Sequence, residues 1–225
     1  MQPDPGTIVV FSDIGCPWAH LAVYRLHAVR RDVGLEEAVR FDLRAFPLEI
    51  INGQPTPKAT LDAEIPVAGA LDPEAGWEMW QEPEYRYPVT TLPALEAVEA
   101  AKEQGLRASE QLDRSLRVAF FGQSRTISMR HVIGETASEC PDVDVDALLD
   151  ALDHGRARPA LVEQWRLSQT DEVEGSPHLF LPDGTDVHNP GVDIHWEGEH
   201  GHGFPVVDRD DPAIYRDLLQ RAAGT

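Results

Sequence analysis

The first 45 residues change their hydrophobic period twice. Residues 7–11 form a short apolar run, which predicts a buried strand. After a turn, apolar side chains recur every three or four residues from Ala22 to Val33, and Gly34 is placed to end the helix that this spacing predicts. Residues 39–45 then alternate between apolar and polar, as a strand with one buried face does. The pattern predicts a β-α-β unit of the kind that begins a parallel sheet.

The middle of the chain has no strand-like periodicity. Between residues 47 and 93, eight prolines and three glycines predict a long irregular connection. Trp77 and Trp80 indicate that this connection packs against the core, because exposed tryptophans are rare. From about residue 93 to 172 the pattern is helical, with breaks at glycine or proline. The candidate helices are 94–104, 110–122, 127–139, 144–154 and 157–171.

The strand pattern returns near residue 173. Residues 173–181 lead to the turn Pro182-Asp183-Gly184, and residues 185–188 are predicted to be the return strand of a hairpin. A glycine- and histidine-rich loop is expected next. Residues 211–223 predict a final helix, so the order at this end is β-β-α.

The order of elements predicts an α/β fold interrupted by an insertion. We assign residues 1–46 and 173–225 to one domain of β-α-β and β-β-α units. Residues 47–172 are assigned to an inserted loop followed by an all-helical subdomain. At 225 residues, the chain is long enough for one large domain that carries such an insertion.

Composition limits the classes of partner. Thirty-nine acidic residues stand against nineteen lysines and arginines, and the formal net charge of −20 disfavours nucleic acid and anionic membrane surfaces. No apolar stretch approaches the roughly 18 residues that a membrane helix needs. Residues 1–6 lack a signal-peptide pattern, so we expect a cytoplasmic protein. Two cysteines are too few for a disulfide framework, and both are expected to be free thiols.

Cys16 is the strongest candidate for chemistry, because it lies where the first strand turns into the first helix. Unpaired N–H groups and the helix dipole favour a thiolate there, which predicts a lowered pKa. Pro17 suits the first helical turn. Trp18 is expected either to cover the thiol or to pack beneath the insertion. His20, one turn later, would lower the thiol pKa further if protonated, or would face solvent. The alternative for Cys16 is a small buried hydrophobe.

Two segments resemble the DsbA superfamily, in particular its cytoplasmic FrnE-like branch and the related kappa-class glutathione transferases and 2-hydroxychromene-2-carboxylate isomerases. The segments are Ser12-Asp13-Ile14-Gly15-Cys16-Pro17-Trp18 and Val173-Glu174-Gly175-Ser176-Pro177-His178. The resemblance implies a thioredoxin fold with a helical insertion and thiol chemistry at Cys16. It also implies that Pro177 follows a cis peptide bond and lies against the thiol, with Ser176 at the docking edge for a thiol substrate. The alternative is an ordinary proline at the start of a strand.

Ala19 stands where a dithiol member of that family carries its second cysteine. Without it, a mixed disulfide at Cys16 must be opened by an external thiol. We therefore expect a monothiol oxidoreductase that acts on a small-molecule or protein disulfide, with mycothiol or glutathione as co-substrate and no tightly bound cofactor. Cys140 is expected to be structural, the alternative being a distant resolving thiol.

Two other functions remain open. The chain could be a kappa-class-like transferase or isomerase that binds a thiol cofactor without forming a disulfide. It could also be a non-catalytic binding protein on the same scaffold. The related transferases are dimers, so the resemblance allows a homodimer.

The histidine-rich segment is the last candidate region. Its imidazoles and carboxylates are His188, His195, Glu197, Glu199, His200 and His202. Such side chains ligate zinc, but their spacing matches no metal geometry that we can assign, and we expect no metal site. We predict a mobile loop near the thiol. Asn189 and His195 are candidates to bind the rest of a thiol cofactor.

Overall fold

The order of helices and strands follows the predicted plan, except for added helices between residues 47 and 93 and a second β-hairpin after residue 188. The structure is a computed structural model that describes residues 1–199 and 201–224. Its elements are β1 (Thr7–Ser12), α1 (Pro17–Asp32), β2 (Arg40–Ala45), α2 (Leu48–Ile51), α3 (Lys58–Leu71), α4 (Leu92–Ala101), α5 (Leu106–Phe121), α6 (Arg130–Ser138), α7 (Val145–Asp153), α8 (Arg158–Leu167), β3 (His178–Phe180), β4 (Asp186–His188), β5 (Val192–Glu197), β6 (Phe204–Asp210) and α9 (Ile214–Ala223). The predicted α/β thioredoxin arrangement with a helical insertion is confirmed.

The central sheet has the strand order β2-β1-β3-β4. β1 runs parallel to β2, with α1 as the crossover that a parallel pair requires, and antiparallel to β3. Gly34 has a φ of +71° just after α1, where a glycine ends a helix at little cost. In the register of β1 and β3, Phe11 is opposite His178. The end of β1 that leads to Cys16 therefore lies beside the start of β3.

The largest hydrophobic cluster covers the sheet face that carries Ile8, Val10 and Leu179. It also takes in Leu26 from α1 and Leu116 from α5, so the sheet and the helical insertion share one core. A smaller cluster lies on the other face of the sheet. A third, which we call the cysteine cluster, lies at the start of α1 and consists of Cys16, Trp18, Ala19, Leu21, Ala68 and Val192. The division of the chain into domains at residues 46 and 173 stays a prediction.

The prediction of an irregular connection over residues 47–93 is wrong at α3. This helix has fourteen residues and buries Leu61, Ile65 and Ala68 on one face at helical spacing. Pro57 precedes the helix, and Pro66 lies inside it. One internal proline removes a single backbone hydrogen bond, and the buried face compensates for that loss. Trp77 and Trp80 pack against the main cluster, as predicted.

The five predicted helices are confirmed as α4 to α8, with shifted ends. α5 begins directly after Gly105, four residues earlier than expected, and α8 ends at Leu167. The hairpin of β3 and β4 is also confirmed. No helix in the described part of the chain is long and apolar enough to cross a membrane.

The prediction of a loop after residue 188 is wrong. β5 and β6 form an antiparallel hairpin whose turn contains Gly198 and Gly201, both with positive φ. Val192 and Ile194 alternate with polar neighbours along β5, and the two-residue period that this gives was concealed by the glycines and histidines around it. The hairpin packs on α3 and on the cysteine cluster.

Candidate active site

Cys16 ends the turn between β1 and α1 and caps the N-terminus of the helix. Its carbonyl accepts a hydrogen bond from the N–H of His20 at 2.9 Å, and Pro17 is the first helical residue, where a missing N–H costs nothing. Within the turn, Oδ1 of Asp13 accepts a hydrogen bond from the N–H of Gly15 at 2.8 Å. The Asp13 side chain therefore helps to fix the turn that presents Cys16.

The thiol of Cys16 contacts the loop that precedes β3. Its Sγ donates a hydrogen bond of 3.2 Å to the backbone oxygen of Ser176, and the Ser176–Pro177 peptide bond is cis. The Ser176 hydroxyl accepts a hydrogen bond from the N–H of Asp13 at 2.9 Å. Two hydrogen bonds thus join the two segments that carry the family resemblance.

The surroundings of Cys16 raise the pKa of its thiol to about 11. Burial is the largest cause, because the residue is only 6% exposed and a thiolate is costly to remove from water. The negative charge of Glu64 is the second cause. Hydrogen bonding with Ser176 and with the backbone of Ala19 lowers the pKa but does not outweigh burial. The prediction of a lowered pKa is therefore wrong for this arrangement, in which the thiol is protonated at neutral pH.

Trp18 on α1 and Glu64 on α3 form a hydrogen-bonded pair near the thiol. Nε1 of Trp18 donates a hydrogen bond of 3.0 Å to Oε1 of Glu64, and Trp18 belongs to the cysteine cluster. Burial raises the pKa of Glu64 to about 7, while the hydrogen bond from Trp18 opposes that rise. Sequence reasoning missed Glu64, because it lies in a stretch predicted to be irregular. The available signal was its helical spacing from the apolar Leu61 and Ala68, which places this acid on the face that the helix buries.

A buried ion pair holds the end of β1 from the side of α5. Arg117 and Asp113 are 1% and 2% exposed, with Nε and Oδ2 2.8 Å apart. The same guanidinium donates hydrogen bonds of 2.9 Å to the backbone oxygen of Asp13 and 2.8 Å to Oγ of Ser12. Sequence reasoning missed this pair as well, because an Asp and an Arg four residues apart more often lie on a solvent-exposed helix face.

The predicted role of His20 as an activator of the thiol is wrong, and so is its solvent-facing alternative. The ring is buried, is stacked on Phe121 and meets Trp77 edge to face, with centroids 4.7 and 4.5 Å apart. Its Nε2 lies 3.1 Å from the backbone oxygen of Ala75. Burial is the main cause that lowers the pKa of His20 to about 3, so the ring is neutral at physiological pH and supplies no charge to Cys16.

Asn189 lies near the site, whereas His195 points away from it. The backbone N–H of Asn189 donates a hydrogen bond of 2.9 Å to the carbonyl of Pro177, but its side chain is used within its own turn, on the oxygen of Val192. Ile194 packs against the cysteine cluster. His195 therefore occupies the opposite face of the hairpin, where it is 51% exposed and pairs with Asp208. This geometry contradicts the prediction that His195 binds a thiol cofactor.

The histidine-rich segment offers no metal site in the part of the chain that the structure describes. No group of three or more His, Cys, Asp or Glu side chains there is arranged to hold an ion. His188 pairs instead with Glu174, with 3.7 Å between Nδ1 and Oε2. His200 lies outside the described residues.

A match to a protein-family model identifies the family of this chain. The model for the DSBA-like thioredoxin domain matches residues 7–195, which include both Cys16 and the loop at Ser176. The chain belongs to this family. No curated protein sequence matches it.

Solved structures support the DSBA-like fold. The cytosolic disulfide reductase DsbM of Pseudomonas aeruginosa superimposes with a TM-score of 0.63 at 16% identity, covering 97% of this chain and 95% of that one. A structure of the same protein with GSH gives a TM-score of 0.64 at 16% identity, covering 97% and 96%. A 2-hydroxychromene-2-carboxylate isomerase gives 0.55 at 18% identity, covering 79% and 86%. At these identities the likeness concerns the fold alone.

This DSBA-like chain has two cysteines, both free, and they lie in different hydrophobic clusters. Ala19, three residues after Cys16, is fully buried beside it in the cysteine cluster. Cys140 packs in the main core, where its Sγ lies 3.3 Å from Oγ of Ser115 on α5. Cys140 is therefore a core residue that belongs to a different hydrophobic cluster from Cys16.

Proposed function

We propose that this protein is a DsbA/FrnE-like thiol oxidoreductase that works through Cys16 alone and uses an external low-molecular-weight thiol. The observation that carries the proposal is the 3.2 Å hydrogen bond from Sγ of Cys16 to the backbone oxygen of Ser176. This bond places the thiol against a loop whose backbone groups are suited to hydrogen bonding with an extended thiol compound. Ala19, and the packing of Cys140 in a different cluster, support a cycle without an internal disulfide.

The proposed reaction is thiol–disulfide exchange in two steps. Cys16, as thiolate, attacks one sulfur of a disulfide RSSR, forms the mixed disulfide Cys16–SR and releases RS⁻, which takes up the proton that the thiol lost. A second thiol R′SH, as thiolate, attacks the R sulfur of the mixed disulfide. RSSR′ then leaves, and the Cys16 thiolate regains a proton. The net change is RSSR + R′SH → RSSR′ + RSH.

The raised pKa of Cys16 makes this reaction depend on rearrangement around the thiol. Burial and Glu64 both oppose the thiolate, so the closed arrangement protects Cys16 from attack by oxidants. A substrate that displaces α3 or the β5–β6 hairpin would remove part of that burial. Reactivity is then tied to substrate binding.

Glutathione is the thiol that we propose first, with mycothiol as the alternative. Support comes from the solved structure of DsbM with GSH, a protein of the same fold. In this chain, Ser176 and Pro177 would form the edge against which the thiol binds, and Trp18 would cover it. The backbone N–H of Asn189 would support that edge through its hydrogen bond to Pro177.

We also propose a cytoplasmic location, because the neighbours of the same fold include a cytosolic disulfide reductase. A homodimer stays a prediction.

Intact-protein mass spectrometry after incubation with oxidised glutathione tests this proposal. One glutathione adduct is expected on the wild type and on Cys140→Ser, none on Cys16→Ser, and reduced glutathione should remove it. Reduction of a chromogenic disulfide by glutathione should depend on Cys16 and not on Cys140. Absence of the adduct, or full turnover by Cys16→Ser, would overturn the redox function.

A second candidate is a kappa-class-like transferase or isomerase, and the protonated thiol favours it. An Sγ–H group that keeps its proton donates a hydrogen bond, and a bound thiolate cofactor would accept it without any disulfide being formed. Calorimetry with reduced glutathione separates the candidates. Binding that persists in Cys16→Ser, together with no adduct on the wild type, would favour this second function. No binding and no adduct would favour a non-catalytic protein.

A further inference from the structure

His178, which directly follows Pro177, makes two hydrogen bonds while being only 1% exposed. Its Nδ1 accepts a hydrogen bond from the backbone N–H of Glu174 at 3.0 Å, and its Nε2 is 3.0 Å from Oδ1 of Asp186. A backbone N–H only donates, and an ionised carboxylate only accepts. Nδ1 therefore carries no proton and Nε2 carries one. The two partners select a single neutral tautomer of the ring.

The bond between Glu174 and His178 closes the loop that contacts the thiol. Both ends of the segment from Glu174 to His178 are joined by it, and Ser176 lies in between. Ser176 accepts one hydrogen bond from Asp13 and one from Cys16. The position of the carbonyl that meets the thiol therefore depends on the state of the His178 ring.

We propose that His178 is a positioning residue of the thiol site, which holds the Ser176 carbonyl against Cys16 only while its Nδ1 is unprotonated. The proposal rests on the proposed thiol chemistry of Cys16. A second proton on the ring must bind Nδ1, the atom that the Glu174 N–H already faces. Two donors do not bond to each other, so protonation releases the start of the loop.

The groups that surround His178 determine how the ring responds to acid. From β4, the carboxylate of Asp186 lies against Nε2, and the His188 ring lies 6.0 Å away, centroid to centroid. Burial, and then the neighbouring His178, lower the pKa of His188, while the Glu174 side chain raises it. On β1, the residue opposite His178 is the apolar Phe11. Two imidazoles, one carboxylate and one aromatic ring therefore lie around this end of the loop.

Release of the loop should make Cys16 more reactive in acid than a thiol whose pKa stays constant. The thiol loses its carbonyl partner and part of its burial, and less burial favours the thiolate. The rate at which Cys16 reacts can be followed in acid with 4,4′-dithiodipyridine. We therefore expect this rate to fall by less than tenfold for each unit by which the pH is lowered, whereas a thiol with a constant pKa shows the full tenfold decrease.

The matched variant is His178→Asn, whose amide oxygen takes the place of Nδ1 as an acceptor but does not titrate. Both proteins carry Cys140→Ser and Glu64→Gln, because the Glu64 carboxyl, with its pKa raised to about 7, would otherwise change the pKa of Cys16 over the same pH range. At the lowest pH measured, the protein that keeps His178 should react about fivefold faster than a line of unit slope predicts, a change of the size that one net hydrogen bond contributes. His178→Asn should follow that line. A unit slope with His178 present, or an equal departure in His178→Asn, would overturn the proposal.

Hydrogen exchange in the wild type makes the test independent of how the variant folds. Protection of the Glu174 amide should fall as the His178 ring resonances shift on protonation, while the Asn189 amide, bonded to Pro177, serves as the comparison. A Glu174 amide that stays protected throughout the titration would contradict the proposal. Neither measurement requires turnover, so failure of the proposed reaction leaves both readouts interpretable.

Discussion

Nε1 of Trp18 donates a 3.0 Å hydrogen bond to Oε1 of Glu64 and so joins the first turn of α1 to the middle of α3. The bond places an acid of the inserted region beside Cys16, and its charge raises the pKa of the thiol. After burial, this carboxylate is the largest influence that opposes the ionisation on which the proposed chemistry depends.

Glu64→Gln should make Cys16 more reactive. The amide keeps an acceptor for Trp18 but removes the negative charge, so the pKa of Cys16 should fall, and each unit of decrease raises the thiolate fraction about tenfold. The pH dependence of iodoacetamide labelling measures this change. The exposed Glu163→Gln on α8 is the control and should leave the labelling profile unaltered. A profile in Glu64→Gln that is unchanged or shifted to higher pH would contradict the expectation.

The same substitution should change how stability depends on pH. Burial raises the pKa of Glu64 to about 7, above the value of about 4.3 in the unfolded chain, so the folded state binds the proton more tightly. Its contribution is fully present below pH 4.3 and is lost as the pH rises through 7. Glu64→Gln should therefore gain stability relative to wild type between pH 5 and pH 8, by up to about 3 kcal/mol. Urea unfolding at both pH values measures the gain, and an equal difference at both would count against it.

Much of the fold could be predicted from the periodicity of the chain, and the exceptions have physical reasons. The β-α-β start and the β3–β4 hairpin are determined by local apolar patterns and turn residues. α3 was missed because Pro66 reads as a helix breaker, whereas the burial of Leu61 and Ile65 on one face outweighs one lost hydrogen bond. The β5–β6 hairpin could not be predicted, because the surrounding glycines and histidines obscure the alternation of apolar and polar residues along β5.

The site was less predictable, because its chemistry depends on contacts between distant segments. Cys16 and Ser176 are brought together as the resemblance implies. The pKa of Cys16, however, depends on burial, which no local sequence pattern predicts, and on Glu64, which lies forty-eight residues away in the sequence. His20 follows Cys16 at helical spacing, yet its ring turns to Trp77 and Phe121. Spacing determines which residues share a helix, but tertiary packing determines what each side chain contacts.

His20→Leu should destabilise the protein without changing the thiol. The substitution removes the ring stacked on Phe121 and leaves the carbonyl of Ala75 without its partner, which should cost about 2 kcal/mol at neutral pH. The pKa of His20 falls to about 3 in the folded state, below that of an unfolded histidine. Its contribution is full above pH 6.5 and is lost as the pH falls towards 3.

The cost of His20→Leu should therefore shrink in acid, as measured by urea unfolding at pH 7 and pH 5. The labelling profile of Cys16 should remain that of wild type. A shift of that profile to higher pH would restore a role for His20 as an activator of the thiol.

Arg117→Leu should be among the most destabilising single changes in the chain. It leaves the buried carboxylate of Asp113 without its cation and removes the donors to Ser12 and Asp13, so we expect a loss of about 3–5 kcal/mol. The double variant Arg117→Leu/Asp113→Leu should recover part of the loss, because no charge then remains buried and unpaired. Chemical unfolding of both variants measures the difference. A loss below about 1 kcal/mol for the single variant would show that the pair lies in water rather than in the core.

Ala19→Cys should convert the single-thiol site into one that closes its own disulfide. Residues 16 and 19 lie three apart at the start of α1, and side chains at this spacing are neighbours on a helix, within the range that a disulfide spans. After treatment with oxidised glutathione, the wild type should retain the glutathione adduct. The variant should lose two hydrogens and carry no adduct, because the new thiol attacks the mixed disulfide and releases glutathione. Ala22→Cys, one turn further along the helix, is the matched control and should keep the adduct. If Ala19→Cys also retained it, the second position would be closed to attack, and the absence of an internal cycle would stem from the packing of the cysteine cluster rather than from the missing thiol alone.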